Sequence, residues 1–209
     1  MNMVRWHKAF WRREDGAVLV ELAIVLPMFF LIFFMVIDYG RMSFHYVNVE
    51  KAVQVAARVA TVRPAACAGV PNFITRGAGD GVTAPRTGTQ CNAGPNVCAP
   101  IATVTCTGDA ANPTVAEIWG LINGTFPNDA TPANLRFTYE DDIDLGFLGG
   151  PYVPVVTVEV TDLNFEFVNP LAAFIALAGG GPSTAGGTIT FPGLSVSLPG
   201  EDLAQGVDG

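Results

Sequence analysis

The chain is poor in charge and nearly devoid of histidine and lysine. Its two histidines, His7 and His45, and its last lysine, Lys51, all lie near the N-terminal end. Beyond them no Ser-His-Asp, Cys-His or Ser-Lys set can be assembled, so catalysis by an activated nucleophile is excluded there. Carboxylates alone remain, with Glu140, Asp141, Asp142 and Asp144 the best grouped. A solvated acidic turn explains that group more simply than a two-carboxylate hydrolase. It also falls short of a calcium loop: counted from Glu140, Leu145 stands where an EF-hand loop has its fixed glycine, and no glutamate closes it. Positive charge is scarce as well. From Pro64 onward there are three basic residues (Arg76, Arg86, Arg136) against 14 acidic ones, a formal charge of −11. Such a surface repels nucleic acid and anionic headgroups. The four cysteines, Cys67, Cys91, Cys98 and Cys106, contain no CxxC spacing and have no histidine near them, which removes a zinc site. No enzyme activity, cofactor, metal, nucleic-acid partner or small-molecule substrate is therefore expected.

What the sequence does have is one long apolar run. Half of its 209 residues are apolar and 14% are charged, against a charged fraction of about 25% in ordinary soluble domains. From Ala17 to Ile37 the only ionisable residue is Glu21. At ~1.5 Å per residue that segment is about 31 Å long, enough to cross a hydrocarbon core. Arg5, Lys8, Arg12 and Arg13 precede it, offset only by Glu14 and Asp15. The positive-inside rule then keeps the N-terminus in the cytoplasm and exports everything after the span. An even number of cysteines on the exported side reads as two disulfides, with three pairings open.

The organisation follows from composition and period. Residues 1–16 form a basic leader and 17–37 the transmembrane helix. The helix is expected to continue through 38–63, because Asp38 to Val62 lacks proline and places Met42, Tyr46, Val49, Val53, Ala56 and Ala60 at three- or four-residue spacing. Pro64 ends it. Pro27, inside the span, is expected to kink it. Residues 64–200 form an exported domain, opening with a Gly/Pro-rich loop region from Ala65 to about Asn112 held by the disulfides. A short helix is expected at residues 114–122, with Asn123-Gly124-Thr125 after it reading as a turn despite matching a glycosylation sequon. Leu135, Phe137 and Tyr139 alternate as in a strand, and residues 153–161 form a second with Val156, Val158 and Val160 on one face. The apolar parity then switches to Leu163, Phe165 and Phe167, which calls for a bulge or break near Thr161 and Asp162. A small apolar helix is expected over residues 171–178. A bent strand or strand pair then follows around Pro192-Gly193, and residues 201–209 form a frayed acidic tail. The fold class is α+β: a long N-terminal helix packed, in its exported part, on a small antiparallel sheet.

One run of residues carries chemistry. Arg12-Arg13-Glu14-Asp15-Gly16-Ala17-Val18-Leu19-Val20-Glu21-Leu22 joins a basic leader, a glycine, an apolar helix and a single glutamate five residues after that glycine. It resembles the processing site of type IV prepilins and pseudopilins. The stretch Gly16 to Pro27 looks like the opening of the TadE-like family, as do Asp38-Tyr39-Gly40-Arg41 after the span and Ala56-Ala57-Arg58 further on. Leu22 replaces the aromatic usual at that point. The resemblance covers about residues 12–62 and implies a minor pseudopilin or membrane assembly subunit of the Flp tight-adherence pilus, in the type IV pilus and type II secretion superfamily. It further implies cleavage by a prepilin peptidase between Gly16 and Ala17. Glu21 would pair with the freed α-amino group of a neighbouring subunit, and Pro27 would shape the assembly helix. The implied partners are inner-membrane lipid, the peptidase, and other pilin, pseudopilin and Tad assembly subunits. The implied location is the bacterial inner membrane, with the C-terminal domain periplasmic or extracellular. The alternative is an uncleaved single-pass scaffold carrying an exported ligand- or calcium-binding domain.

Overall fold

The structure is a computed structural model, and it describes residues 16–78, 84–167, 188–201 and 203. The chain divides into two compact units, residues 1–43 with 166–188 and residues 44–165 with 189–209. Helix α1, Ala17–Val62, begins in the first and ends in the second.

In the first unit, α1 shows every described side chain from Val18 to Phe30 exposed, and Ile37 is followed by a buried acid, Asp38. The apolar residues encircle the helix, which is the pattern of a segment solvated by lipid rather than of one turned to a core. Phe29 stacks on Phe33 and Phe30 on Phe34, with centroids 6.0 Å apart in both pairs, as four-residue spacing on one helix allows. Pro27 lies within the unbroken helix.

In the second unit the remainder of α1 supplies a face of small residues. Val49, Ala52, Val53, Ala56, Ala57 and Ala60 are all buried. Alanine on that face lets the helix approach the sheet closely, and each larger neighbour (Phe137, Tyr139, Val156, Val158) fills the space the alanines leave. Of the stripe expected from the sequence, Val49, Val53, Ala56 and Ala60 are buried. Tyr46 is exposed, and His45 beside it is half-buried against Phe165 at 5.9 Å between ring centroids.

The helix stops where Pro64 requires, and a second helix docks on its end. Helix α2, Pro113–Ile122, is capped by Asn112, whose side chain accepts from the amides of Thr114 and Val115. The same Asn112 donates to the carbonyl of Ala66 at 3.1 Å, and the Thr114 hydroxyl donates to that of Pro64 at 2.7 Å. Val115, Ile118 and Ile122 then bury against the core.

Four strands complete it: β1 Val104–Thr107, β2 Leu135–Glu140, β3 Val155–Val160 and β6 Leu194–Pro199, in the order β1-β2-β3-β6 with every neighbour antiparallel. Strands β4 Asn164–Glu166 and β5 Thr188–Thr190 form a separate pair. The inner face is apolar: Leu135, Phe137, Tyr139, Val156, Val158 and Val160 are buried. The outer face carries a straight row of hydroxyls, Thr105, Thr138, Thr157 and Ser197, each opposite the next. The break expected after β3 is real: Asp162 sits at φ 55° and the buried set passes from Val160 to Leu163 and Phe165.

Two expectations need correction and two lie beyond what the structure describes. Strand β1 lies in the stretch read as loop, and the cue was the β-branched run of Ile101, Thr103, Val104, Thr105 and Thr107. The start of the tail expected to fray is docked: the Glu201 amide donates to the Thr61 carbonyl at 3.0 Å and Leu203 is fully buried. The leader before Gly16 and the small helix expected at residues 171–178 lie outside the described residues.

Candidate functional site

The motif residues of the leader junction fall at the head of α1. Gly16 is exposed immediately before the helix, and Glu21 and Pro27 lie one and a half and three turns in, by helix geometry. Gly16, Glu21 and Pro27 are therefore set along one rigid rod, with Glu21 about 7.5 Å beyond the glycine along the axis. A carboxylate at that depth in lipid costs ~2.5–3.5 kcal/mol at the bilayer centre and less toward the interface, so it calls for a partner. At the other end of the apolar run, Arg41 donates to the Asp38 carboxylate at 3.1 Å, one turn back on the same helix. This gives the Asp38-Tyr39-Gly40-Arg41 step a physical role: a buried acid is held by a cation three residues on, where the apolar surface gives way to polar sequence.

The cysteines resolve into Cys67–Cys106 and Cys91–Cys98. The first joins the segment leaving α1 to edge strand β1, over a separation of 39 residues. It sits beside Tyr139, whose hydroxyl accepts from the Ala66 amide at 2.9 Å. Burial raises the Tyr139 pKa and that amide partly opposes the rise.

The second bridge closes a small cap outside the sheet. There the segment around Ile74 and Gly77 is laced by backbone bonds to Gly149 and Gly150 on one side and to Val97 and Ala99 on the other. Gly77 has no room for a side chain: a Cβ would run into the carbonyls of Asn96 and Cys98. Ile74, Cys91 and Tyr152 form the cap's own buried cluster. A cavity of about 190 Å³ opens beside them, walled by Ile74, the Cys91–Cys98 bridge, Asn96, Asp141, Asp142 and Ile143.

The acidic group at residues 140–144 is used in building this edge. The Asp142 carboxylate accepts from the Asp144 amide at 3.0 Å, and Asp144 accepts from the Asn92 side chain at 3.1 Å. Among the described residues no three acidic, histidine or cysteine side chains are arranged to hold a metal ion. Asp141 has its pKa raised, by burial first and by Asp142 second, against the Ile101 amide. Tyr152 is pushed up to about 12 by burial, with the charges of Asp141 and Glu140 adding to it.

That shift has a measurable sign. The folded chain holds the Tyr152 phenol neutral while the unfolded chain ionises it near 10, so its stabilisation is whole below pH 10 and is lost as pH rises toward about 12. Tyr152→Phe is expected to flatten the alkaline fall in stability over that window, measured as urea midpoints against pH. Tyr139 continues to contribute a fall of the same sign.

These observations define the class of protein. Among the described residues, one helix is long and apolar enough to cross a membrane, and it leads into a disulfide-bridged antiparallel-sheet domain. Within that class, residues 16–58 match the family described as TadE-like protein. The match begins at Gly16 and ends at Arg58, so it takes in the glycine–glutamate opening, the Asp38–Arg41 pair and the alanine face as far as Ala57. No curated protein and no solved structure matches the chain.

Proposed function

We propose that this chain is a non-enzymatic, single-span subunit of the Tad (Flp) pilus machine, a pseudopilin or assembly protein of the type IV pilus kind, processed by a prepilin peptidase after Gly16. The observation that carries the reading is the match over residues 16–58, which starts at the proposed cleavage point. Gly16 stands exposed directly before the helix, so an extended leader can enter a peptidase there without unwinding α1. Cleavage would leave Ala17 as the new N-terminus, its ammonium one to two turns from Glu21 of the same chain and within reach of Glu21 on a neighbour packed alongside in lipid. Pairing the two charges offsets the cost of placing either in hydrocarbon. The exported domain would sit on the far side of the inner membrane, where an oxidising compartment forms both disulfides. It would meet other pilin and Tad assembly subunits there.

N-terminal sequencing of the chain from its native membrane tests the reading. The expected first residue is Ala17; an intact leader on the assembled protein overturns the processed-subunit mechanism.

A further inference from the structure

We infer that the two open edges of the main sheet, β1 and β6, are complementary and join copies of this chain side by side into a continuous sheet. The inference does not depend on processing at Gly16.

Both edges are unprotected in the same way. Natural sheets blunt an edge with charge, an internal proline or a bulge. Strand β6 reads Leu-Ser-Val-Ser-Leu-Pro and β1 reads Val-Thr-Cys-Thr, neither with a charge and β6 with proline only at its last position. On the inner face, Leu194, Val196 and Leu198 of β6, and Val104 and Cys106 of β1, are only half-buried, while the central Phe137, Tyr139, Val156 and Val158 are fully buried. Among the described residues, the inner-face side chains of each edge are thus left partly open on the outer side.

The backbone phase matches too. The Gly108 amide bonds to the Leu135 carbonyl and the Gly200 amide to that of Pro154. Hydrogen-bonded and non-bonded positions alternate along an antiparallel ladder. Counting back along each register, the amides and carbonyls of Thr105 and Thr107 on β1, and of Ser195 and Ser197 on β6, point away from the sheet. Those four residues occupy two cross-strand rows, Thr105 with Ser197 and Thr107 with Ser195. An all-antiparallel sheet of four strands has its two edges running in opposite directions. A neighbour placed beside it in the same orientation therefore offers its β1 antiparallel to β6. Thr105 of that neighbour falls opposite Ser197, Thr107 opposite Ser195, Val104 opposite Leu198 and Cys106 opposite Val196. The outer hydroxyl row and the inner apolar face both continue across the junction, and the ordinary strand twist makes the joined sheet coil.

A second copy is the occupant this geometry favours because the contact is head-to-tail and open-ended. Self-pairing of β6 about Val196 is the rival, since Leu-Ser-Val-Ser-Leu is a palindrome. It closes on two copies and leaves both β1 edges unpaired, so it does not extend the sheet.

The test is cross-linking of full-length chains in liposomes, with linked peptides identified by mass spectrometry. Chains carrying Thr105→Cys and chains carrying Ser197→Cys, reconstituted together, are expected to give the mixed cross-link at about tenfold the yield of linked dimer from either alone. Ser195→Pro on the Ser197→Cys chain, or Thr107→Pro on the Thr105→Cys chain, removes an outward amide without touching the internal ladder, and each should abolish the product. Two such variants on opposite strands keep the test decisive if one fails to fold. No mixed cross-link, a mixed cross-link that survives a folded proline variant, or a Ser197→Cys self-link in its place overturns the inference.

Discussion

Replacing Cys67 and Cys106 together by serine is expected to destabilise the exported domain by about 4 kcal/mol, on the loop-closure estimate for a separation near 40 residues. That is a large share of the ~5–15 kcal/mol that holds a typical domain folded. The bridge joins the exit of α1 to strand β1, whose four residues pair with β2 alone, so its loss frees an edge strand as well as a loop. Serine also leaves polar groups where Cys67 is buried against Phe137. The corresponding change at Cys91 and Cys98 closes a separation of only 7 and should cost less, about 2.5 kcal/mol. It acts on the cap around Ile74 and Tyr152, leaving the main sheet intact. Urea unfolding of the two double variants, followed by the near-ultraviolet signal of the buried tyrosines, checks the ranking. An equal or reversed order would show that the Cys67–Cys106 bridge does not secure the sheet.

Glu21→Ala is the second change of large effect, and its effect is on assembly. Removing the carboxylate makes the helix cheaper to insert, by up to ~2.5–3.5 kcal/mol toward the bilayer centre, so membrane content should hold or rise. Processing after Gly16 should continue. Under the proposed function, incorporation into the pilus machine should nevertheless fall to background, because the ammonium at Ala17 of a neighbour loses its counter-charge in lipid. Glu21→Gln separates charge from shape: it keeps the size and hydrogen-bonding capacity, and should fail as Glu21→Ala does. Fibre formation at the normal level in either variant, with processed protein present, would sink the role assigned to Glu21.

The parts of this architecture that sequence makes legible are those with a strong period or an unambiguous stop. The apolar run from Ala17 to Ile37, the end of α1 before Pro64, the alternation of Leu135, Phe137 and Tyr139 and the parity switch at Asp162 all depend on neighbours within a few residues. The start of α2 is local for the same reason, since Asn112 caps it and Pro113 suits its first turn. Strand β1 shows in the sequence only as a β-branched run, because its four residues are too few to display an alternation, and its place is set by pairing with β2 about 30 residues away. The disulfide pairing is long-range in the same sense: it depends on which segments the sheet brings together. The burial of Leu203 is not legible in the sequence, because the segment that carries it is tied by the Glu201–Thr61 backbone bond to a residue far away in the chain. At the candidate site, Gly16 and Glu21 were visible because motif and helix share one continuous segment. The cap cavity was not, since its walls come from three stretches of chain that composition alone reads as loop and turn.

The left-handed residue between β3 and β4 bears on length as well as on composition. Val160 faces inward, Asp162 turns the backbone at φ 55°, and Leu163 and Phe165 face inward again. Deleting Asp162 would place Leu163 two and Phe165 four residues after Val160, so a regular strand would carry all three on the inner face without the left-handed turn. Point substitutions at Asp162, to asparagine or glycine above all, preserve the turn and should be accepted. A library of single-residue deletions should therefore show tolerance at Asp162 set against intolerance inside β3, where every residue is paired on both sides.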